Sequence, residues 1–217
     1  MNYRRLYEYR FRNIDQSARE AVWREIARHL HEHAGRPARV LDPAAGRGEF
    51  IRAVPAAERW AVDAVAHDEL AADPEVTLIL SEISAAELPR EYFDAVFVSN
   101  FLEHLPAQEA VAAFLEQMLR CVRTGGRVVV LGPNFRYCAK EYFDCADHTL
   151  ALTHVAVAEH LYAAGFEVER VVPRFLPYSF RGGYPATAAL TRRYLRTPAL
   201  WRVLGQQFLV TGQKRFA

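Results

Sequence analysis

An acid followed by a glycine-bearing turn is the part of this sequence best suited to binding a ligand. Residues 40–50 lead an apolar strand into Asp42 and then through Gly46 and Gly48. Glycine removes the side chain where a chain bends sharply and where a ligand must approach the backbone. The free N–H groups at the start of a following helix would favour an anionic group. The turn therefore predicts a cofactor site.

A second set of reactive side chains lies in residues 137–148, which are aromatic and acidic rather than periodic. Asp144 and Asp147 precede His148 in this segment, which we interpret as a lid or substrate loop. Histidine titrates near neutral pH and can take a proton from a hydroxyl, and Asp147 could orient the imidazole. Catalysis by His148 and simple bracing of the loop are both open at this stage.

A metal site is the other chemistry that these segments suggest. Cys138, Cys145, His148 and His154 are possible ligands, but their spacing fits no usual zinc pattern. The sequence therefore predicts no metal.

Hydrophobic periodicity predicts the elements that position these residues. Apolar runs indicate strands at 38–41, 59–63, 76–80, 93–98, 127–131, 166–172 and 207–211. Helical spacing and capping residues indicate helices at 15–33, 49–54, 108–122 (ended by Gly125 and Gly126), 153–164 and most of 186–204. This alternation predicts a doubly wound α/β sheet with right-handed crossovers. Ligands of such sheets bind at the carboxyl ends of the strands.

Composition limits the class of protein. The chain has 217 residues, of which 51% are apolar and 24% charged, as in an ordinary globular domain. Its formal net charge of +1 argues against a nucleic-acid partner. No apolar stretch approaches the roughly 20 residues of a membrane helix, so we expect no stable membrane insertion. The start lacks a secretory signal and three cysteines fit a reducing compartment, so we expect a cytoplasmic location.

Four motifs in order resemble those of the class I S-adenosylmethionine-dependent methyltransferases, and more closely their small stand-alone bacterial members. They occupy residues 41–48, 62–63, 93–105 and 123–127, and residues 163–168 match the strand entry that usually follows. The resemblance implies a Rossmann-like, seven-stranded, mostly parallel sheet with an antiparallel C-terminal strand and helices on both faces. It also implies S-adenosyl-L-methionine as the cofactor.

The resemblance implies one methyltransferase domain over residues 1–217. We divide it into an N-terminal helical cap (1–37), a cofactor-binding core (38–131), a lid and substrate region with the sixth strand (132–185), and a C-terminal helix with the closing strand (186–217).

The resemblance also implies roles for residues that match the motifs. Asp42, with the turn through Ala44, Gly46 and Gly48, would hold the methionine part of the cofactor, and Asp63 would accept hydrogen bonds from the ribose hydroxyls. Ser84 and Ala85 would face the adenine, while Asn100 and Phe101 would border the methyl group.

Ala44 and Ile51 depart from a dinucleotide fingerprint. Ala44 stands at its first glycine if Gly46 is the second, and Ile51 stands at its third glycine if Gly46 and Gly48 are the first two. An alanine methyl group is strained only at positive φ, so we expect Ala44 to have a negative φ.

We expect methyl transfer to a small-molecule or glycan acceptor, most plausibly at oxygen. His148 is the candidate base, with Asp147 and Asp144 beside it. Candidate acceptor-binding residues are Tyr137, Tyr142, His154 and Arg174, followed by Arg136, Lys140, Tyr178 and Arg181. For each of these, a place in a solvated loop with buried aromatic anchors is the simpler interpretation.

Other functions stay open on the sequence alone. The chain could methylate nitrogen or a protein, or could be a non-catalytic cofactor-binding scaffold. A nicotinamide-dependent oxidoreductase is disfavoured by Ile51 and by the motif at Glu103 and His104. The basic helical segment 186–204 could rest on a membrane surface or pack on the core. We expect a monomer or a homodimer.

Overall fold

A seven-stranded sheet organises the chain, whose computed structural model describes residues 3–12, 14–178 and 187–216. The strand order is β3-β2-β1-β4-β5-β7-β6, and β7 runs antiparallel to both of its neighbours while the other strands are parallel. The strands are β1 Arg39–Asp42, β2 Glu58–Asp63, β3 Val76–Leu80, β4 Phe93–Ser99, β5 Val122–Pro133, β6 Glu167–Val172 and β7 Gln207–Gln213. The predicted fold class, with its antiparallel C-terminal strand, is confirmed.

Helices cover both faces of this sheet. They are α1 Tyr3–Phe11, α2 Gln16–His33, α3 Asp68–Ala71, α4 Gln108–Cys121, α5 Phe135–Tyr142, α6 His154–Ala163, α7 Ala188–Leu195 and α8 Pro198–Leu204, with 3-10 turns at Ile83–Ala85 and Leu102–His104. One apolar layer joins α2, α7 and α8 to the sheet, and a second joins α4 and α6 to its other face. Arg192 of α7 pairs with the buried Glu25 of α2, which packs this basic segment on the core. In the part of the chain that the structure describes, no helix is long and apolar enough to span a membrane.

The helix predicted at 49–54 is wrong, because this segment forms a series of turns. The amides of Arg52 and Val54 bond back to Gly48 and Phe50, but the chain cannot continue as a helix into Pro55. The first strand therefore leads into a series of turns rather than into a helix N-terminus.

Two other boundaries differ from the sequence prediction. Gly125 and Gly126 lie within β5 instead of ending α4, since their backbone groups bond to those of Lys214 beyond the end of β7. Part of the predicted lid loop is the helix α5, which the Asn134 side chain caps by accepting a hydrogen bond from the Arg136 amide. Arg181 lies outside the described residues.

Candidate functional site

The carboxyl ends of β1 and β2 bring Asp42 and Asp63 to one edge of the sheet, because neighbouring parallel strands end on the same side. We call this the cofactor edge, defined by Asp42, Asp63 and the turn at 43–48. The amide of Ala45 in this turn donates to the Val62 carbonyl at 3.0 Å, which fixes the turn against β2.

Asp42 is buried at this edge, with 3% of its surface exposed. The amide of Ala44 donates to Oδ1 at 3.3 Å. Burial raises the pKa of Asp42 to about 8, and the nearby Asp63 adds to this effect. A carboxyl in such surroundings gains from a cationic partner, such as the ammonium group of an amino acid.

The turn after Asp42 has two glycines with positive φ, 55° at Gly46 and 77° at Gly48. Ala44 is not among the residues with positive φ, which confirms the prediction for it. A Cβ on Gly48 would lie 2.7 Å from the Leu70 side chain, whereas a Cβ on Gly46 would meet nothing within 4 Å. Gly48 therefore serves packing against α3, and Gly46 leaves open space beside the backbone.

Asp63 accepts two backbone hydrogen bonds, from Gly46 N at 2.6 Å and from Val65 N at 2.8 Å. Burial raises its pKa, although these two amides act in the opposite direction. A carboxylate offers about four lone-pair sites, so Asp63 retains capacity for further donors such as a pair of hydroxyls.

The other predicted cofactor residues lie in the loops after β3 and β4. Ser84 and Ala85 are exposed in the 3-10 turn Ile83–Ala85. Asn100 has a positive φ of 48°, a conformation that asparagine tolerates well, and its amide bonds to the Leu131 carbonyl. Phe101 is half-buried, with its ring 5.1 Å from that of Phe114.

A cluster of acids and histidines surrounds His148. We call Glu103, His104, Asp147 and His148 the acid–histidine cluster. The ring centroids of His104 and His148 are 4.9 Å apart, and His104 Nδ1 is 2.9 Å from the Asp147 carbonyl oxygen. Asp144 is exposed on the loop outside the cluster. Sequence reasoning placed Glu103 and His104 in a family motif but gave them no part in the chemistry.

Burial determines the charge states in this cluster. It raises the pKa of Glu103 and lowers that of His148 to about 4, and nearby His104 also lowers the His148 pKa. Burial opposes ionisation of Asp147 as well, but the hydrogen bond from Arg10 outweighs it and lowers the pKa. His148 is therefore uncharged at neutral pH.

The N-terminal helix α1 covers this region. Arg10 of α1 forms an ion pair with the buried Asp147. Burial raises the pKa of Tyr7 to about 12, and the carboxylates of Asp147, Asp63 and Glu103 contribute in the same direction. Tyr7 therefore feels the carboxylates of both the cofactor edge and the acid–histidine cluster.

The predicted acceptor residues are placed differently from one another. Tyr142 is fully buried, and its hydroxyl donates to the Leu150 carbonyl and accepts from the Leu152 amide. Arg174 donates to the carbonyls of Gly205 and Val203, which ties its loop to the end of α8. These contacts occupy the polar atoms of both side chains with the protein itself.

His154 and Tyr137 stack on each other with ring centroids 6.3 Å apart. His154 is buried, and its Nδ1 accepts a hydrogen bond from the Asn134 side chain at 2.9 Å. Burial lowers the His154 pKa, and Arg136 adds to this. Tyr137 is half-buried between His154 and the Arg174 guanidinium, which lies 4.9 Å from the ring centre.

The cysteines do not join the histidines in a metal site. Cys138 is buried and donates to the Asn134 carbonyl, while Cys145 contacts the Tyr178 hydroxyl at 3.6 Å. Burial raises the pKa of Cys138 to about 12, which disfavours the thiolate that a metal would need.

Part of the chain matches a known protein family. Residues 41–130 match a family model described as a methyltransferase domain. No curated protein matches the chain in sequence.

Solved structures share the fold over nearly the whole chain. A SAM-dependent methyltransferase from Archaeoglobus fulgidus is 18% identical with a TM-score of 0.65, and the match covers 98% of this chain and 100% of that one. The 1,6-didemethyltoxoflavin-N1-methyltransferase of Burkholderia thailandensis, solved with its substrate and S-adenosylhomocysteine, is 21% identical (TM-score 0.60, 99% and 89% covered). A possible histamine N-methyltransferase from Thermotoga maritima is 14% identical (TM-score 0.67, 97% and 98% covered).

The cofactor edge fits S-adenosylmethionine by the chemistry of its own residues. The buried Asp42 suits the ammonium group, the open backbone at Gly46 suits close approach of the methionine part, and Asp63 suits the ribose hydroxyls. The same edge is the part of the chain that the family model matches. The chain contains a methyltransferase domain at residues 41–130 and has the fold of solved SAM-dependent methyltransferases.

Proposed function

We propose that this enzyme methylates a hydroxyl group of a small-molecule or glycan acceptor. The observation that carries the proposal is the acid–histidine cluster, which lies beside the cofactor edge under α1 and contains an uncharged imidazole at His148. A hydroxyl is a poor nucleophile until its proton is removed, whereas an amine or a carboxylate needs no base.

The cofactor supplies an electrophilic methyl group on a sulfonium, so the chain has mainly to align the acceptor and remove its proton. Alignment alone can supply on the order of 7 to 11 kcal/mol in favourable cases. Asn100 and Phe101 border the cofactor edge, and His148 accepts the proton. Asp147 stays ionised beside Arg10 and stabilises the imidazolium that results.

The size of the acceptor follows from the cover over the cluster. The Arg10 and Asp147 ion pair joins α1 to the loop before α6, and only 12% of the Arg10 side chain and 3% of the Asp147 side chain are exposed. We infer a compact acceptor, because a folded protein or a nucleic-acid duplex approaching His148 would have to displace this contact. The half-buried Tyr137 is the candidate for contact with the acceptor.

Transfer to nitrogen is the second candidate, because one structural neighbour is an N-methyltransferase and another is a possible N-methyltransferase. An amine acceptor would not need His148 as a base, so the two functions differ in what loss of this imidazole does. The free, largely buried cysteines support a cytoplasmic location for either function.

The test is methyl transfer from labelled S-adenosylmethionine to panels of hydroxylated small molecules, glycans, amines and proteins, with the product site located by NMR. We expect a product methylated at oxygen and loss of its formation in His148→Gln with cofactor binding retained. The control is His160→Asn on the outer part of α6, which should leave the rate unchanged. A product methylated at nitrogen with full activity of His148→Gln would overturn the proposal.

A further inference from the structure

We propose that Glu103, His104 and His148 form a binding site for one divalent first-row transition-metal ion. Each residue offers one ligand atom, and these atoms all lie within 4.8 Å of one another. The sequence predicted no metal because it considered the histidines together with cysteines. The structure instead brings a carboxylate and a histidine from the loop after β4 against His148.

The site contains buried polar atoms that have no hydrogen-bond partner. Glu103 is 2% exposed, and its Oε1 has no hydrogen-bond partner. The buried Nδ1 of His148 has no hydrogen-bond partner either. A buried polar atom that has no partner lowers the stability of the fold. Oε1 of Glu103 lies 3.9 Å from Nε2 of His104, which is too far for a hydrogen bond. An ion between these atoms would satisfy all of them.

The Nδ1 atom of His104 makes a hydrogen bond of the kind that orients histidines in known metal sites. Its Nδ1 lies 2.9 Å from the Asp147 carbonyl oxygen, so Nδ1 carries the proton and donates it there. In the neutral ring with this tautomer, the free lone pair is on Nε2, the atom that lies 3.9 Å from Glu103 Oε1. Metal-bound histidines usually donate their other N–H to a carbonyl or carboxylate in this way, which fixes the tautomer and the ring.

Metal–ligand bonds of about 2.1 Å place two ligand atoms on one ion roughly 3 to 4 Å apart. The separation of Glu103 and His104 already lies in this range. The widest separation in the cluster, at most 4.8 Å, requires a closure of less than about 1 Å by rotation of side chains.

Charge and ligand type indicate the class of ion. Two imidazoles and one carboxylate favour Zn²⁺, Fe²⁺, Co²⁺ or Mn²⁺ over Mg²⁺ and Ca²⁺, which prefer oxygen. Asp147, whose Oδ2 lies 3.6 Å from His104, is already paired with Arg10, so Glu103 is the carboxylate left to balance the ion. Three protein ligands leave positions open for an acceptor oxygen.

The role of the ion rests on the proposed function, and it changes the task of His148. A bound ion lowers the pKa of a coordinated hydroxyl, as it does for water. With the ion in place, His148 is a ligand, and the acceptor O–H bond breaks with its electron pair staying on oxygen and its proton leaving to solvent. That oxygen then bonds the methyl carbon as the carbon–sulfur bond breaks, its electron pair going to sulfur.

The experiment measures metal binding by itself. Metal-free protein is titrated with Co²⁺, followed by its visible absorption, and Zn²⁺ is then added as competitor. We expect one Co²⁺ per chain, displaced by Zn²⁺, and binding at least about 100-fold weaker in Glu103→Gln and in His104→Asn, since even outer-shell partners are worth roughly 10- to 100-fold. His160→Asn is the matched histidine control and should bind as the wild type does.

Thermal unfolding of the wild type with and without Zn²⁺ keeps the test independent of whether the variants fold, because an ion that binds only the native state raises the midpoint. Absence of a stoichiometric Co²⁺ spectrum in the wild type, or equal binding by wild type and both variants, overturns the metal site. Calorimetry with S-adenosylmethionine on the metal-free protein tests the cofactor edge separately. A protein that binds Co²⁺ but gives no oxygen-methylated product retains the metal site and loses the proposed function.

Discussion

Acidic residues at the carboxyl ends of the strands and those at the amino ends differ in the direction of their pKa shifts. At the cofactor edge and the adjoining cluster, burial raises the pKa values of Asp42, Asp63 and Glu103. At the other end, a hydrogen bond from the buried Lys214 lowers the pKa of Glu91. Burial opposes ionisation of Asp94 there, but the hydrogen bonds it accepts outweigh burial and lower the pKa.

The contacts of each end explain this difference. Asp94 accepts from Arg123 Nε at 2.5 Å and from the amides of Ala38 and Arg39 at 3.0 and 2.7 Å. Lys214 pairs with Glu91 and also donates to two backbone carbonyls. The acids of this end stabilise the fold, whereas those of the cofactor edge cost stability until a ligand supplies positive charge or donors. At the cofactor edge, the acids therefore lack the partners that a bound ligand would supply.

The largest expected effect is on cofactor binding, and it is tested by making the same aspartate-to-asparagine substitution at each end of the sheet. Asp63→Asn should weaken S-adenosylmethionine binding by about 3 kcal/mol, roughly 100-fold, because hydrogen bonds to a charged group contribute about 1.5 to 3 kcal/mol each. Calorimetry measures it. Asp94→Asn is the control and should bind the cofactor normally; equal loss in both variants would remove the distinction between the ends.

Asp42→Asn should raise the stability of the ligand-free enzyme and lower its cofactor affinity. The pKa is about 3.8 in the unfolded chain and about 8 in the fold, so the native state holds an extra proton between these values. Wild-type stability therefore falls as pH rises from about 4 to 8, and the loss from this carboxyl is on the order of a few kcal/mol.

Chemical denaturation of wild type and Asp42→Asn across this pH range measures the difference. The variant should have the flatter profile, and calorimetry should find binding weaker by about 2 kcal/mol because the ammonium loses its carboxylate. Parallel pH profiles would show that Asp42 does not carry this penalty.

Two glycine substitutions sharpen the comparison within the cofactor edge. Gly48→Ala should destabilise the fold by about 2 kcal/mol, because positive φ costs about 1 kcal/mol and its Cβ would displace Leu70. Gly46→Ala should cost only about 1 kcal/mol of stability, since its Cβ meets open space. Cofactor affinity should fall in Gly46→Ala, where that space is filled; unchanged affinity would mean that the cofactor does not approach this backbone.

A stability effect of similar size is expected at the opposite end of the sheet. Asp94→Asn should lower the free energy of unfolding by about 1 to 2 kcal/mol at pH 7, because its hydrogen bonds to Arg123 and to the amides lose their charge. A lowered pKa means that the wild type has this stabilisation above about pH 4 and loses it as pH falls further. Denaturation at pH 7 and pH 3 should show the two proteins converging; a constant difference would contradict the assignment.

The local pattern of apolar residues predicted the strands well. It could not predict contacts between residues that are distant in the sequence. The strand Val76–Leu80 was predicted to the residue, because apolar runs between turns depend on neighbouring positions alone. The helix predicted at 49–54 failed because the turns there cannot continue as a helix into Pro55. Arg10 and Asp147 are 137 positions apart, and no spacing rule connects them.

The acid–histidine cluster shows the same limit. The motif at Glu103 and His104 was visible in the sequence, and so was His148, but their contact depends on how the loop before α6 folds back on the loop after β4. The amides of Thr149 and Leu150 make that connection by donating to the Glu103 carbonyl. Roles that depend on such contacts can be assigned only once the fold is known.

The position of α1 also ties two distant parts of the chain together. Arg10 pairs with Asp147, and only 12% and 3% of these side chains are exposed. Any exchange of ligands that requires α1 to leave must therefore break a largely buried ion pair. In many enzymes, opening steps of this kind are slower than the chemistry.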